Sequence, residues 1–146
     1  MRRFHGLAAI AVVILLSPIS AWWLVGDLSM AEPTSQPDYM FKPVDLTSTE
    51  ELVLGTAAVA ATVVAAALVV GTVRRRLVTV AELLVALPLL IAGAFCGFAW
   101  RVMTAAVIGA NIGAGMILLF APFFLASMLG WSALQWRKPR SMNAQP

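Results

Sequence analysis

Two polar side chains lie inside apolar stretches of the sequence, and they are the first candidates for chemistry. Glu82 follows the basic residue Arg76 by six positions, and Asn111 lies in the last apolar stretch. Polar groups are costly inside a membrane, so they are the default functional candidates there. Glu82 is interpreted either as a cation or coupling-ion site or as an interfacial partner of the nearby arginines. Asn111 is expected to form an interhelical hydrogen bond.

The other reactive side chains do not suggest a catalytic arrangement. His5 is the only histidine and Cys96 the only cysteine; one lies near the N-terminus and the other in an apolar run. Glu50 and Glu51 are adjacent, so on a helix they point about 100° apart and do not form a catalytic carboxylate pair. We therefore expect no enzymatic activity, no cofactor and no metal site.

The composition indicates a membrane protein. The chain is 61% hydrophobic and 12% charged, with a mean hydropathy of +0.90. Soluble domains are less apolar and carry about twice as many charges. The net charge of +3 comes from short basic clusters that lack interleaved aromatic residues, which excludes nucleic-acid binding.

The distribution of charge predicts the topology. Three adjacent guanidiniums at 74–76 cannot enter the hydrocarbon core at tolerable cost, so they mark a turn at one membrane face. Six of the seven acids lie between Asp27 and Glu51. The positive-inside rule then places both termini in the cytoplasm and the acidic segment outside the plasma membrane. The bases expected at the cytoplasmic face are Arg2, Arg3, Arg74, Arg75, Arg76, Arg137, Lys138 and Arg140.

These features predict an all-α integral membrane protein, a four-transmembrane-helix bundle with N-in/C-in topology and one acidic extracytoplasmic loop. Each apolar run is long enough, at 1.5 Å per residue, to cross a core of about 30 Å. The first run also resembles a cleavable signal, but it exceeds the usual length of one, so a retained helix is expected. The predicted helices cover about 6–25, 50–73, 77–99 and 103–130, with an outer loop at 26–49 and a basic cytoplasmic tail at 131–146.

Small residues recur at four-residue spacing in helices two, three and four. Lipid tails are as apolar as leucine, so membrane helices gain by close backbone approach, which small residues permit. Helix two is therefore expected at the centre of the bundle, and the GxxxG row of helix three is expected to pack within the chain. The residues of these rows are Ala57, Ala61 and Ala65; Ala58, Thr62 and Ala66; Gly93 and Gly97; and Ala105, Gly109 and Gly113.

The predicted outer loop contains three large side chains, Tyr39, Met40 and Phe41, among acidic residues. They are expected either to lie in the headgroup layer or to form a docking patch for a partner protein. The loop ends in a predicted helix cap, formed by Thr47 with Glu50 or by the next pair along the chain.

Arg101 is predicted to lie outside, between helices three and four. There it either pairs with an acid of the 26–49 loop or is solvated, and exposed ion pairs contribute little.

Three functions are compatible with these patterns. The leading hypothesis is a small non-catalytic accessory or assembly subunit that packs against larger integral membrane proteins or further copies of itself, because the small-residue rows exceed what one bundle needs. The second is an oligomeric transporter or channel in which Glu82, Pro88 and Asn111 line a path. The third is an immunity or sensor protein that acts through its acidic outer loop.

Overall fold

A computed structural model describes residues 2–29, 40–107 and 111–137. Within these ranges the chain forms four α-helices: α1 (Arg2–Val25), α2 (Ser48–Arg74), α3 (Val80–Thr104) and α4 (Ile112–Arg137). All four are long and apolar enough to cross a membrane. The prediction of an all-helical chain with four helices long and apolar enough to span a membrane is confirmed.

The helices pack in the order α2, α1, α3, α4, and among the described residues the extensive contacts join neighbours in that order. Trp23 of α1 contacts Gly55 near the start of α2, whereas Gly6 contacts Thr72 near its end, so these two helices are antiparallel. Helices α1 and α3 run parallel, and α4 runs antiparallel to α3. The expectation that helix two is central is therefore wrong. Helices α1 and α3 are central, because each packs closely on two other helices.

The contact face of α2 differs from the predicted row. Ala57 and Ala61 are exposed, and only Ala65 of that row is buried. The face that meets α1 carries Gly55, Ala58 and Ala65, together with Thr62, whose hydroxyl lies 3.0 Å from the hydroxyl of Ser20. The spacing alternates between three and four residues, because that pattern keeps one face of a helix aligned along a neighbour.

Helices α1 and α3 approach each other closely at Gly97. A Cβ atom at this position would overlap the backbone carbonyl of Pro18 and would also crowd the backbone nitrogen of Trp22. One turn earlier, Gly93 lies against the hydroxyl of Ser17. The GxxxG row of α3 therefore lies within the chain, against α1.

Helix α4 packs on α3 through aromatic and polar contacts. The rings of Phe95 and Phe124 lie 4.5 Å apart between centroids. Closer to the arginine turn, the hydroxyl of Ser132 donates a hydrogen bond of 2.9 Å to the carbonyl of Val85. Such interhelical hydrogen bonds contribute about 0.6 kcal/mol on average in membrane proteins.

The boundaries of the last two helices require correction. Helix α3 begins at Val80 rather than near 77 and continues to Thr104, after which Ala105 is extended. Helix α4 begins at Ile112 rather than near 103, so Ala105 is not on it and Gly113 lies in its first turn. Gly109 lies outside the described residues.

The predicted tail also begins too early. Residues 131–137 continue α4, including Trp131 and Trp136, because neither a proline nor a glycine interrupts the chain after Gly130. The predicted tail residues from 138 onwards, including Lys138 and Arg140, lie outside the described part of the chain.

The close approach at Gly97 can be tested with a pair of alanine substitutions. We expect Gly97→Ala to lower the free energy of unfolding by about 1–3 kcal/mol, because the obstructing atom is backbone and cannot rotate away. Gly115→Ala is the matched control, since a Cβ at that position has open space. Both variants would be unfolded thermally in detergent micelles, and equal stability would contradict the packing of α1 on α3.

Candidate functional site

Arg101 forms a polar cluster that connects three helices. Its Nε donates a hydrogen bond of 2.9 Å to the carbonyl of Trp22, and its Nη2 bonds to the carboxylate of Glu51. Its Cζ lies 4.3 Å from the centroid of the Trp22 ring, a cation–π contact. The side chain of Arg101 is 13% exposed and that of Glu51 is 35% exposed. The cluster joins α1, α2 and α3 at the end of the helices that we call the Arg101 end.

The cluster explains why Arg101 belongs to α3. A charge that is largely removed from water requires a counter-charge and hydrogen-bond partners, and the last turn of α3 places the guanidinium beside both. The partner is Glu51, in the first turn of α2 and two residues beyond the loop 26–49 from which a partner was expected. The expected connection between helices three and four therefore starts after Thr104 instead of at Arg101.

Both described ends of the predicted outer loop are attached to the end of α3. The hydroxyl of Ser29 accepts a hydrogen bond of 3.1 Å from the amide of Ala106, and the amide of Phe41 donates one of 3.2 Å to the carbonyl of Met103. Met40 and Phe41 are exposed, and Tyr39 lies outside the described residues. The side chains of Met40 and Phe41 are therefore accessible, although the backbone at Phe41 is hydrogen-bonded to α3.

Asp27 lies beside this attachment. Hydrogen bonds from the side chain and backbone of Ser29 hold the pKa of Asp27 below its ordinary value, and the positive charge of Arg101 acts in the same direction. A depressed pKa means that the folded protein favours the carboxylate. This contribution is present at neutral pH and is lost as the pH falls through the folded pKa.

A crevice of about 570 Å³ lies between the Arg101 ends of α1, α2 and α3. Asp27, Glu51 and Arg101 contribute charged groups to its wall, and Trp22 and Trp100 contribute indole rings. Its volume lies within the range of about 300–1,000 Å³ that is usual for small-molecule sites. No feature of the sequence alone indicated this crevice, because its walls come from three helices and from the segments next to them, which are distant in the chain.

Glu82 caps the start of α3. Its carboxylate accepts a hydrogen bond of 2.8 Å from the amide of Thr79, and its own amide donates one of 3.3 Å to the Thr79 hydroxyl, so the two residues form a capping box. The helix begins only two residues earlier, so Glu82 lies in the first turn of α3 rather than within the membrane-spanning part of the helix, as its place in an apolar stretch suggested. The spacing Thr79-x-x-Glu82 is the same signal that predicts the cap at Thr47, and it could have located this start.

Asn111 caps the start of α4 and connects it to α3. Its Oδ1 accepts a hydrogen bond of 2.9 Å from the amide of Ala114, and its Nδ2 donates one of 3.1 Å to the carbonyl of Val102. The side chain therefore satisfies backbone groups at two helix ends that would otherwise lack partners.

The basic turn closes α2 at the end of the helices opposite to Arg101. Arg76 has a positive φ of 56°, and the amides of Arg76 and Leu77 bond back to the carbonyls of Val73 and Thr72. This pattern is the Schellman motif, in which the left-handed residue is usually glycine. Arg74, Arg75 and Arg76 are all exposed, and Arg137 ends α4 at the same end.

The other reactive residues remain apart. Cys96 is exposed on α3, far along the chain from His5 at the start of α1. Within 2–29, 40–107 and 111–137, no three His, Cys, Asp or Glu side chains are grouped so that they could hold a metal ion.

The ion pair can be tested by comparison with an exposed pair. We expect Glu51→Gln to lower the free energy of unfolding by about 1–3 kcal/mol, because Arg101 stays largely buried without its counter-charge. Asp45→Asn breaks the exposed Lys42–Asp45 pair and should change stability by about 0.5 kcal/mol or less. The double variant Glu51→Gln/Arg101→Gln should lose less than the sum of the single losses; additive losses would contradict direct pairing.

Comparison with known protein families, with curated proteins and with solved structures gives no significant match for this chain. Its function must therefore be inferred from its own geometry and charge.

Proposed function

We propose that this chain is a small non-catalytic accessory or assembly subunit, and that it binds a transmembrane helix of a larger membrane protein through the exposed face of α2. The single observation that carries the proposal is the open order of the helices. Helix α2 lies at one end of the row and packs closely only on α1 among the described residues. The opposite side of α2 is therefore available for another helix.

The exposed side chains of the two outermost helices, α2 and α4, differ in size. On α2 five of the eight exposed residues between 56 and 67 are alanines, namely Ala57, Ala60, Ala61, Ala66 and Ala67, and the other three are Thr56, Val63 and Val64. On α4 the exposed residues include Leu118, Leu119, Phe120, Phe123, Leu129 and Leu134. One molecule therefore presents a flat face at one end of the row and a bulky face at the other.

This difference favours a protein partner for α2. Hydrophobicity gives no advantage to helix association inside lipid, so association depends on close packing, and close packing is best on small side chains. The bulky face of α4 suits flexible lipid chains, which fill gaps between large side chains. The flat face of α2 allows a second backbone to approach closely, as α1 already does on its other side.

The transport alternative receives no support from the placement of its central residue, because Glu82 forms a helix cap with Thr79. The alternative in which the acidic loop acts as a sensor depends partly on residues 30–39, which lie outside the described chain. The accessory-subunit proposal depends on neither.

The partner face can be tested with a photo-crosslinking amino acid in native membranes. At position 61 we expect covalent adducts to another protein, and at position 123 we expect adducts to lipid only, because Phe123 lies on the bulky face. Ala61→Leu should dissociate the complex without unfolding the chain, since Ala61 is exposed, whereas Phe123→Leu should leave the complex intact. A chain that is solubilised as a monomer and gives no protein adduct at position 61 would refute the proposal.

We further propose that the protein lies in the plasma membrane with both termini and the basic turn in the cytoplasm. The segregation of charge supports this orientation: Arg74, Arg75 and Arg76 are exposed at one end, and Asp27, Asp45 and Glu51 lie at the other.

The orientation can be tested by cysteine labelling in a Cys96→Ser background. In intact cells, a membrane-impermeant maleimide should label Asp45→Cys but should label Arg75→Cys only after permeabilisation, since both positions are exposed in the folded chain. Labelling of Arg75→Cys in intact cells would reverse the proposed topology.

A further inference from the structure

The ion pair in the crevice at the Arg101 end has hydrogen-bonding capacity that the described residues do not use. Arg101 uses Nε for the carbonyl of Trp22 and Nη2 for one oxygen of Glu51, and no described residue accepts a hydrogen bond from Nη1. The second carboxylate oxygen of Glu51 likewise receives no hydrogen bond from a described residue. Both residues line the crevice, so it offers a ligand a charged donor and a charged acceptor.

The charge balance of the wall restricts the ligand. Asp27 and Glu51 are negative and Arg101 is positive, so two negative charges and one positive charge leave a net charge of −1. A purely anionic ligand would meet this excess of negative charge, and a purely cationic one would leave Nη1 of Arg101 without an acceptor. A zwitterion with a cationic and an anionic group satisfies both requirements.

The type of acceptor restricts the cation. The carboxylates of Asp27 and Glu51 accept hydrogen bonds, and a primary ammonium supplies three donors, whereas a quaternary ammonium supplies none. Quaternary groups are usually recognised by a cage of several aromatic rings, whereas here Arg101 already stacks on Trp22 and leaves only the ring of Trp100 in the crevice wall. A primary ammonium is therefore favoured over a choline group.

The position of the crevice is that of a lipid headgroup. Trp22 and Trp100 form part of its wall, and tryptophan is enriched at the level of the headgroups. Pro18, Ile19 and Leu54 continue the wall towards the middle of the helices, and the exposed side chain of Leu54 borders the region that lipid occupies. The crevice therefore combines a polar part at the helix ends with an apolar part below it.

We propose that this crevice binds a phosphoethanolamine headgroup, with the ammonium on Asp27 and the second oxygen of Glu51 and the phosphate on Nη1 of Arg101. The source favoured by the apolar wall is a phospholipid rather than a water-soluble phosphodiester. The proposal is independent of the α2 partner face, because Ala57 and Ala61 do not line the crevice.

The experiment uses the full chain in detergent micelles that contain equal amounts of phosphatidylethanolamine, phosphatidylcholine and phosphatidylglycerol. Lipid retained on the protein would be identified and counted by native mass spectrometry. We expect one molecule of phosphatidylethanolamine to be retained in preference to the other two. Asp27→Asn should reduce this preference about fivefold, the effect of losing one charge-assisted hydrogen bond. The control is Asp45→Asn, which removes the same charge from an exposed residue outside the crevice and should leave the preference unchanged.

Addition of soluble glycerophosphoethanolamine distinguishes the two sources of the headgroup. If the soluble compound displaces the retained lipid, the headgroup alone is sufficient for binding. If the lipid stays bound, the crevice binds a membrane lipid whose acyl chains also contribute to binding. Equal retention of the three lipids by the unmodified chain would overturn the proposal. Identical lipid preference in Asp27→Asn and Asp45→Asn would do the same.

Discussion

The close approach of α1 and α3 at Gly97 is the contact on which the rest of the molecule depends. Because Gly97 lacks a side chain, the backbone of α3 lies against the carbonyl of Pro18 and the nitrogen of Trp22. One turn further along α3, Arg101 reaches the carbonyl of Trp22 at 2.9 Å and stacks on its ring. A larger residue at Gly97 would separate the helices and would also move the polar cluster apart.

Polar contacts hold the helices together in a molecule that has few buried large side chains. No large side chain of the described residues is fully buried, and the core consists mainly of alanines. Serine and threonine hydroxyls add specific bonds between helices, from Ser20 to Thr62 and from Ser132 to the carbonyl of Val85. In lipid this combination is expected, since small residues allow close packing and hydroxyls satisfy polar groups that have no water nearby. It also leaves most large apolar side chains on the outside, where lipid or a partner can cover them.

Hydropathy was sufficient to predict four helices, because a membrane-crossing helix needs about 20 apolar residues and the chain contains four such runs. It failed at the ends of α3 and α4, because a charged residue such as Arg101 is read as the end of a helix. The structure retains Arg101 in α3 through a partner fifty residues away on α2, and no local pattern reveals such a contact. Glu82 was wrongly placed inside a membrane-spanning stretch for a different reason. Its capping pattern with Thr79 is present in the sequence, but hydropathy does not take capping patterns into account.

The rows of small residues show a further limit of sequence patterns. Four-residue spacing suggests that α2 packs through one such row, but the buried positions Gly55, Ala58 and Ala65 follow from the direction in which α1 crosses it. Unless the neighbouring helix and its crossing direction are known, several rows of small residues on α2 are equally good candidates for the contact face. The same ambiguity leaves Ala57 and Ala61 exposed, on the side of α2 that α1 does not cover.

The Arg101–Glu51 pair also determines how α2 is held. Among the described residues, α2 packs closely only on α1, and its ion pair with Arg101 adds a contact to α3. Glu51 lies at the positive end of the α2 dipole and Arg101 at the negative end of the α3 dipole, so both dipoles favour these charges. A lysine at position 101 could not bond to Trp22, bond to Glu51 and stack on the indole with one planar group, as arginine does. The pair therefore attaches the start of α2 to α3, in addition to the packing of α2 on α1.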